Sequence, residues 1–439
     1  MVRRVYVVSV VLAIVVGSAC VRDPEPANPV PAGKLDADGM YALGVATELA
    51  DKLYAGRQVG SAGGRLAGDR LLAELEAIGL EARAQEFAWR TAMNEGPAIL
   101  ELRREDGEPA RVYEYRRDFR EAVRGAYEGE QAEGPLFVME DSRASFPAGA
   151  VLLLSKEAYN PNVTDRYLEG GAAGFLVEVG DQYMPQRPLF AGQVPGTLPE
   201  PQSGLPLLAL SSSCYRELAL AAASGASVVM RSPVRFRDVT ARNLVGLWDG
   251  DGGGYAPTVM VMAHYDHVGH DADGSVFPGA LDNASGVGVA LAVAKAWMAL
   301  GMAADFCVLL SDAEETGLAG AGYFAAHPPF SLAGVRVLNV DMAGSVTDMA
   351  VSVLAGDREL ACRVADALGA AGFRTELVQG STAADHAAFD RSGALAVTVN
   401  EYDTAAYHTY GDLPSGLSAA ELDAVADVVL GLLATLASE

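Results

Sequence analysis

Four apolar runs in the second half of this 439-residue chain end on, or lead to, acids or histidines. Thr258–Ala263 runs into His264-Tyr265-Asp266-His267, and Asp305–Leu310 runs into Ser311-Asp312-Ala313-Glu314-Glu315. Val335–Val340 runs into Asp341, and Ala394–Val399 leads towards Tyr407-His408. Short runs that are apolar throughout fit strands buried on both faces. Strands are expected at 243–248, 258–263, 305–311, 335–341, 349–354 and 394–400, and helices at 284–299, 358–371 and 419–436. That alternation predicts an α/β fold with a mainly parallel mixed sheet sandwiched by helices. In open α/β sheets, ligands collect outside the carboxyl ends of the strands. The acids and histidines should therefore meet at one edge.

Singly, each element has an ordinary explanation. A His-x-Asp triplet is commonly a solvated surface feature, a Glu-Glu pair a loop end, and an Asp after a strand a helix cap. Jointly they are costly, because carboxylates brought together in a cleft repel one another. A pair of divalent cations removes that cost. The loop Gly279-Ala-Leu-Asp-Asn-Ala-Ser-Gly286 brings a further acid, Asp282, after the first of these strands. His267 and His270 are read as loop or pocket residues, His327 as a helix-end residue and Asp412 as a loop residue. The formal net charge of -25 argues against nucleic acid as a partner. It serves solubility or attracts cationic substrates and metal ions. The four cysteines lack the spacing of a zinc ribbon or a redox pair, and Cys307 reads as a buried apolar residue. A Cys214–Cys362 disulfide is possible, with nothing favouring it.

The first 19 residues read as a signal peptide, with Arg3 and Arg4 ahead of the apolar stretch Val5–Val16. Gly17, Ser18 and Ala19 then precede Cys20, which resembles the lipidated cysteine of a bacterial lipoprotein. Gly17 stands where such signals usually carry an aliphatic residue, so plain secretion stays open. Either route places the mature protein outside the cytoplasm, on the cell envelope through a lipid anchor or secreted. Residues 20–35 read as a Pro-rich tether. Helical spacing is found over 36–54 and 65–78, the latter stopping at Gly79, with strands near 82–90 and 97–104. From 110 to 235 the chain changes character, with strands at 151–154, 175–179, 206–210 and 227–230 and helices from 165 and near 214–223. This marks an insert between an N-terminal part, 36–109, and the main part, 236–439.

His264-Tyr-Asp266, Asp282-Asn-Ala-Ser-Gly286, Glu314-Glu-Thr-Gly-Leu318, Asn339-Val-Asp-Met342 and Tyr407-His408 together resemble peptidase family M28, the zinc aminopeptidases and carboxypeptidases. The Gly56-Arg57 to Gly60-Ser61 stretch is similar to that family's N-terminal region, and the insert resembles a protease-associated (PA) domain. The resemblance implies a zinc-peptidase-like fold and two Zn2+ per chain, with Mn2+ or Co2+ also suited to the ligand set. It implies that His264 and Asp341 bind one ion, Glu315 and His408 bind the other, and Asp282 bridges them. Asp266 would orient His264, Glu314 would be the general base, and Tyr407 would offer its hydroxyl to the oxyanion. Asp385-His386 resembles a Ser-Asp-His segment of the family, but Ala384 occupies the Ser position, so neither is assigned a catalytic role. The implied substrates are peptides and the implied activity is that of an aminopeptidase. A carboxypeptidase of the same family is the alternative. A receptor-like binding protein would have lost ligands, and cyclising enzymes on this scaffold commonly use one metal, whereas the full set is present here.

Overall fold

In the computed structural model the described residues are 36–439, apart from 105–107, 123–126, 129–130, 161–163, 186–201, 204, 251, 348–349 and 356. The signal segment, Cys20 and the tether lie outside them. The chain divides into two compact units. The first comprises the segment up to Trp89, Val239–Gly269 and Val276–Glu439; the second comprises Arg90–Asp238 and His270–Ser275.

The first unit is built on a mixed eight-stranded sheet. Its strands are β1 (Glu81–Asn94, in this unit up to Trp89), β2 (Val234–Trp248, in this unit from Val239), β3 (Val259–His264), β4 (Phe306–Ser311), β5 (Arg336–Asp341), β6 (Val351–Ala355), β7 (Thr375–Gln379) and β8 (Leu395–Asn400). The order across the sheet is β1-β2-β4-β3-β5-β8-β6-β7. The central four, β4-β3-β5-β8, are mutually parallel, while β2 against β4 and β6 against β8 are antiparallel. The expected mixed sheet is therefore present, with its parallel part in the middle. The chain passes from β3 to β4 on one side, then to β5 on the other side of β3. That reversal is the switch point where such sheets open a crevice. Register matters too: His264 pairs with Ser311 and Asp341 with Asn400, so the polar strand ends lie level.

Alternation along β3 divides the core in two. Val259, Val261 and Ala263 pack into one apolar cluster, and Met260 and Met262 into the other. The first cluster holds the helices Gly39–Leu49, Gly286–Ala299 and Ala419–Ala437. The middle one of these is apolar nearly all round, as a helix enclosed by others must be. Its Trp297 stacks on Phe306 of β4 at 4.7 Å between ring centroids. Phe324, from the helix Ala319–Ala326, and Phe389 fill the second cluster.

Helix ends follow local chemistry. Ser61 accepts from the amide of Gly64, and the helix Ala62–Ile78 stops at Gly79 in the left-handed region, as its sequence predicts. The first helical stretch departs from expectation. It ends at Leu49, and a 3-10 turn Lys52–Arg57 follows, with Ala55, Gly56 and Arg57 all at positive φ. Strand β7 and the helix Ala319–Ala326 carry no clear periodic signal and were not expected.

Glu401, just after β8, is buried and accepts from the amide of Ser345 at 2.8 Å. Burial, reinforced by the charge of Glu421, pushes its carboxyl up to about 7. A raised carboxyl binds its proton more readily folded than unfolded. Stability from this group is thus greatest below the ordinary carboxylate range and falls as pH rises through about 7. Glu401→Gln is expected to gain about 2 kcal/mol over the parent at pH 8 and nothing at pH 4.5, measured by urea unfolding. An equal effect at both values would contradict the burial argument.

The second unit carries its own mixed eight-stranded sheet. Its order is Pro109–Val112, Ile99–Arg103, Ser227–Arg231, Gln131–Met139, Val151–Leu154, Gly174–Glu178, Leu207–Leu210 and Phe119–Glu121. The run from Gln131–Met139 to Leu207–Leu210 is parallel, and the helices Thr164–Glu169 and Ser212–Ala222 belong to this unit. This compact unit begins at Arg90, ahead of the change in sequence character at 110, because Ile99–Arg103 pairs with Ser227–Arg231. Gln131–Met139 was not legible as a strand, since Gly134 and Pro135 interrupt it. Gly134 is needed there: a Cβ would come within 2.2 Å of the Gly149 carbonyl oxygen. Cys214 and Cys307 are free, buried thiols, so a Cys214–Cys362 bond is not formed.

Candidate metal centre

The carboxyl ends of the central strands deliver the site. His264 ends β3, Asp341 ends β5, and Glu314 and Glu315 follow β4 closely. Asp282 arrives on the turn Ala280–Ser285, and Tyr407 and His408 on the loop after β8. Two groups of donors result, His264, Asp282 and Asp341 in one, and His267, Asp282, Glu315 and His408 in the other. Asp282 belongs to both.

In the first group His264 Nε2 lies 3.4 Å from Asp282 Oδ1 and 3.4 Å from Asp341 Oδ1. In the second, His408 Nε2 lies 3.1 Å from Asp282 Oδ2 and 2.9 Å from Glu315 Oε2. The two oxygens of one carboxylate thus face two separate sets. Donors bound tetrahedrally at ~2.05 Å stand ~3.3 Å apart, close to these spacings. Asp282 Oδ2 and both nitrogens of His408 are buried and have no hydrogen-bond partner. Orphaned buried polar atoms are expensive in a folded protein. A cation facing Asp282 Oδ2 and His408 Nε2 would satisfy those two atoms, and an N/O donor set suits zinc. The residues fit a dinuclear zinc site.

The electrostatics agree. Burial works against charge on His408, yet the carboxylates of Glu315 and Asp282 outweigh it and raise the imidazole to about 10. Glu315 is held down to about 2 despite burial, chiefly by His408. Burial also opposes charge on Asp282, but His264 and His408 hold its carboxyl well below the usual range. The cluster therefore demands positive charge. Half-buried Glu314, in neither group, behaves oppositely: burial, Glu315, Asp385 and Asp341 push its carboxyl well above the usual range.

Supporting residues explain the motifs. Asp266 is buried, with Oδ1 3.6 Å from His264 Nδ1. Its two oxygens accept from the amides of Glu314 at 3.0 Å and Glu315 at 3.3 Å, so it ties the β3 and β4 ends together. Asn283 accepts from the amides of Gly286 and Met342 and donates to the carbonyl of Val340. At Gly286 a Cβ would meet the Val340 carbonyl at 2.3 Å. Asp412 accepts from the amides of Leu281 at 2.6 Å and Asp282 at 3.0 Å, a loop role as expected, and one that holds the shared carboxylate in place. Arg57 is fully buried and donates to the carbonyls of Tyr265, Leu49, Pro278 and Gly279 at 2.8–2.9 Å. Positive φ at Ala313, Met342 and His408 falls beside or on site residues, where strain of ~1–3 kcal/mol per residue is characteristically held. Tyr407 stacks on His408, with ring centroids 3.8 Å apart.

Four other polar residues that the sequence singled out remain to be placed. His270 belongs to the second unit. His386 is tied to Thr398 and the Ser381 carbonyl, which suits its lack of a catalytic role, whereas Asp385 is buried, accepts from Ser311 at 2.6 Å and influences Glu314. His267 is the departure that matters. Read as a loop or pocket residue, it places Nδ1 2.9 Å from Glu315 Oε1 inside the second donor group.

Residues 243–433 match peptidase family M28. The matched segment contains both donor groups, Glu314 and Tyr407. No curated protein matches the chain significantly. Among solved structures it is similar to an aminopeptidase from Aneurinibacillus sp. strain AM-1, at 19% identity and TM-score 0.65, over 90% of this chain and 93% of that one. It is also similar to BSAP, a zinc aminopeptidase from Bacillus subtilis, at 17% identity and TM-score 0.67, over 91% and 95%. A peptidase M28 precursor from Shewanella amazonensis SB2B gives 15% identity and TM-score 0.63, over 92% and 94%. At these identities the likeness is one of fold.

Proposed function

We propose that the protein is a two-metal exopeptidase of the M28 type that removes N-terminal residues from peptides. The observation that carries this reading is the division of Asp282, one oxygen towards His264 and the other towards His408. Asp282 would bridge, His264 and Asp341 would hold one ion, and Glu315 and His408 the other. Bound zinc supplies Lewis acidity, for activating water and polarising the scissile carbonyl. The remaining steps belong to side chains. Glu314 takes the proton of the attacking water and returns it to the leaving amine, work that a raised carboxyl suits. Tyr407 donates its hydroxyl to the developing oxyanion, the kind of contact worth ~3 kcal/mol. Asp266, whose backbone carbonyl lies 3.3 Å from His264 Nδ1, holds that ring in its tautomer, and its carboxylate fixes the backbone under Glu314 and Glu315.

We further propose that Cys20 is lipidated after removal of residues 1–19, leaving the enzyme on the outer side of a membrane, and that the second unit is a PA-like insert. The aminopeptidase reading rests on the likeness to aminopeptidases and is tested by a panel of free and N-blocked aminoacyl chromogenic substrates. Hydrolysis of free N-terminal substrates should fall by about 10³-fold or more on chelation and return with Zn2+. Cleavage of N-blocked dipeptides that carry a free C-terminal carboxylate, with none of the free aminoacyl substrates, would make the enzyme a carboxypeptidase instead.

A further inference from the structure

We propose that His267 is a ligand of the ion at the Glu315–His408 position, which makes the two metal positions chemically unequal. The inference rests on the two-metal reading above and goes beyond its ligand set. His267 is fully buried, and its Nδ1 lies 2.9 Å from Glu315 Oε1 and 3.8 Å from Asp282 Oδ2. His408 Nε2 approaches the same two carboxylates, taking the other oxygen of Glu315, and the two rings meet edge to face at 5.5 Å. Four donors therefore surround one point, against three around the other.

The place of the ring is built into the fold. Gly279 lies against it, and a Cβ there would come within 2.6 Å of the imidazole. The His267 amide donates to the carbonyl of Arg57 at 3.3 Å, which anchors the backbone under the ring. His267 Nε2 has no hydrogen-bond partner, and neither do Asp282 Oδ2 and His408 Nε2. A simple hydrogen bond from His267 to Glu315 leaves the latter two orphaned, whereas a shared cation satisfies both and takes Nδ1 as a ligand. The consequence is a position with two imidazoles and two carboxylates beside one with a single imidazole and two carboxylates. Imidazole suits zinc and cobalt better than it suits magnesium or calcium. The His267 position should fill first and hold such ions more tightly.

The test uses the full chain stripped of metal and titrated with Co2+, whose visible absorption reports the number and kind of its ligands. The parent protein should bind two ions with distinct affinities. His267→Leu keeps bulk without a donor, and His267→Asn keeps an N–H for Glu315 without the imidazole. Both should still bind two ions, with one affinity weakened about 10- to 100-fold, the band of that ion altered and the other ion unchanged. Having two variants covers the case in which one fails to fold. Parental affinities and spectrum in the folded variants would overturn the proposal. So would weakened affinity in His267→Leu with an unaltered spectrum, which would make His267 only an orienter of Glu315. A parent that binds fewer than two ions would instead overturn the two-metal reading itself.

Discussion

Glu314→Gln is expected to lower kcat by about 10²- to 10⁴-fold while the protein keeps two metal ions per chain. The two consequences separate because Glu314 lies in neither donor group, although its neighbour Glu315 does. The chain solves a tight problem here. One strand end must present consecutive carboxylates to different tasks, and Asp266 makes this possible by accepting both amides and fixing the turn. Gln preserves shape and that backbone bond but cannot accept a proton. KM should move little, since the residue acts mainly in the transition state. Metal content by elemental analysis, read beside kcat, decides the matter. Loss of bound metal with an intact fold would remove Glu314 from the base role and place it among the ligands.

Arg57→Met is expected to destabilise the first unit by about 3–5 kcal/mol. Its guanidinium is fully buried and spans carbonyls from three segments, around Leu49, Tyr265 and Pro278-Gly279. Burial lowers its pKa to about 10, with Asp412 and Asp282 opposing that change, so the group stays charged at neutral pH. Met fills part of the volume but removes the guanidinium donor from four carbonyl oxygens, of which that of Gly279 keeps the Ala284 amide. The loop that presents Asp282 then loses one of its fasteners, while Asp412 and Asn283 remain. Urea unfolding of the metal-free protein measures the first effect. Weaker metal binding, seen by titration, measures the second. A midpoint and slope close to those of the parent would show that water replaces the guanidinium at little cost.

Much of the first unit was legible because its signals are local. Val259–Ala263 and Phe306–Leu310 are apolar throughout, the pattern of a parallel strand covered on both faces. Gly79 and Ser61 mark helix ends through their own backbone and side-chain chemistry. Other elements gave no such signal. Gln131–Met139 becomes a strand through its neighbours on both sides, against the preferences of Gly134 and Pro135. The break after Leu49 exists because Arg57 must turn inward to reach its carbonyls.

The same division runs through the metal centre. His264, Asp282, Glu314, Glu315, Asp341, Tyr407 and His408 could be named from the sequence, because each stands at or just beyond a strand, or in a recognisable motif, and parallel strands bring such positions to one edge. Order along the chain was enough for that. Which nitrogen faces which oxygen was not, because it depends on how loops fold over the sheet. Only the tertiary structure turns Asp282 so that its two oxygens serve different neighbours, buries Arg57 behind it, and swings His267 towards Glu315 rather than solvent. These choices are made by hydrogen bonds between residues distant in sequence, where periodicity and local propensity carry no information.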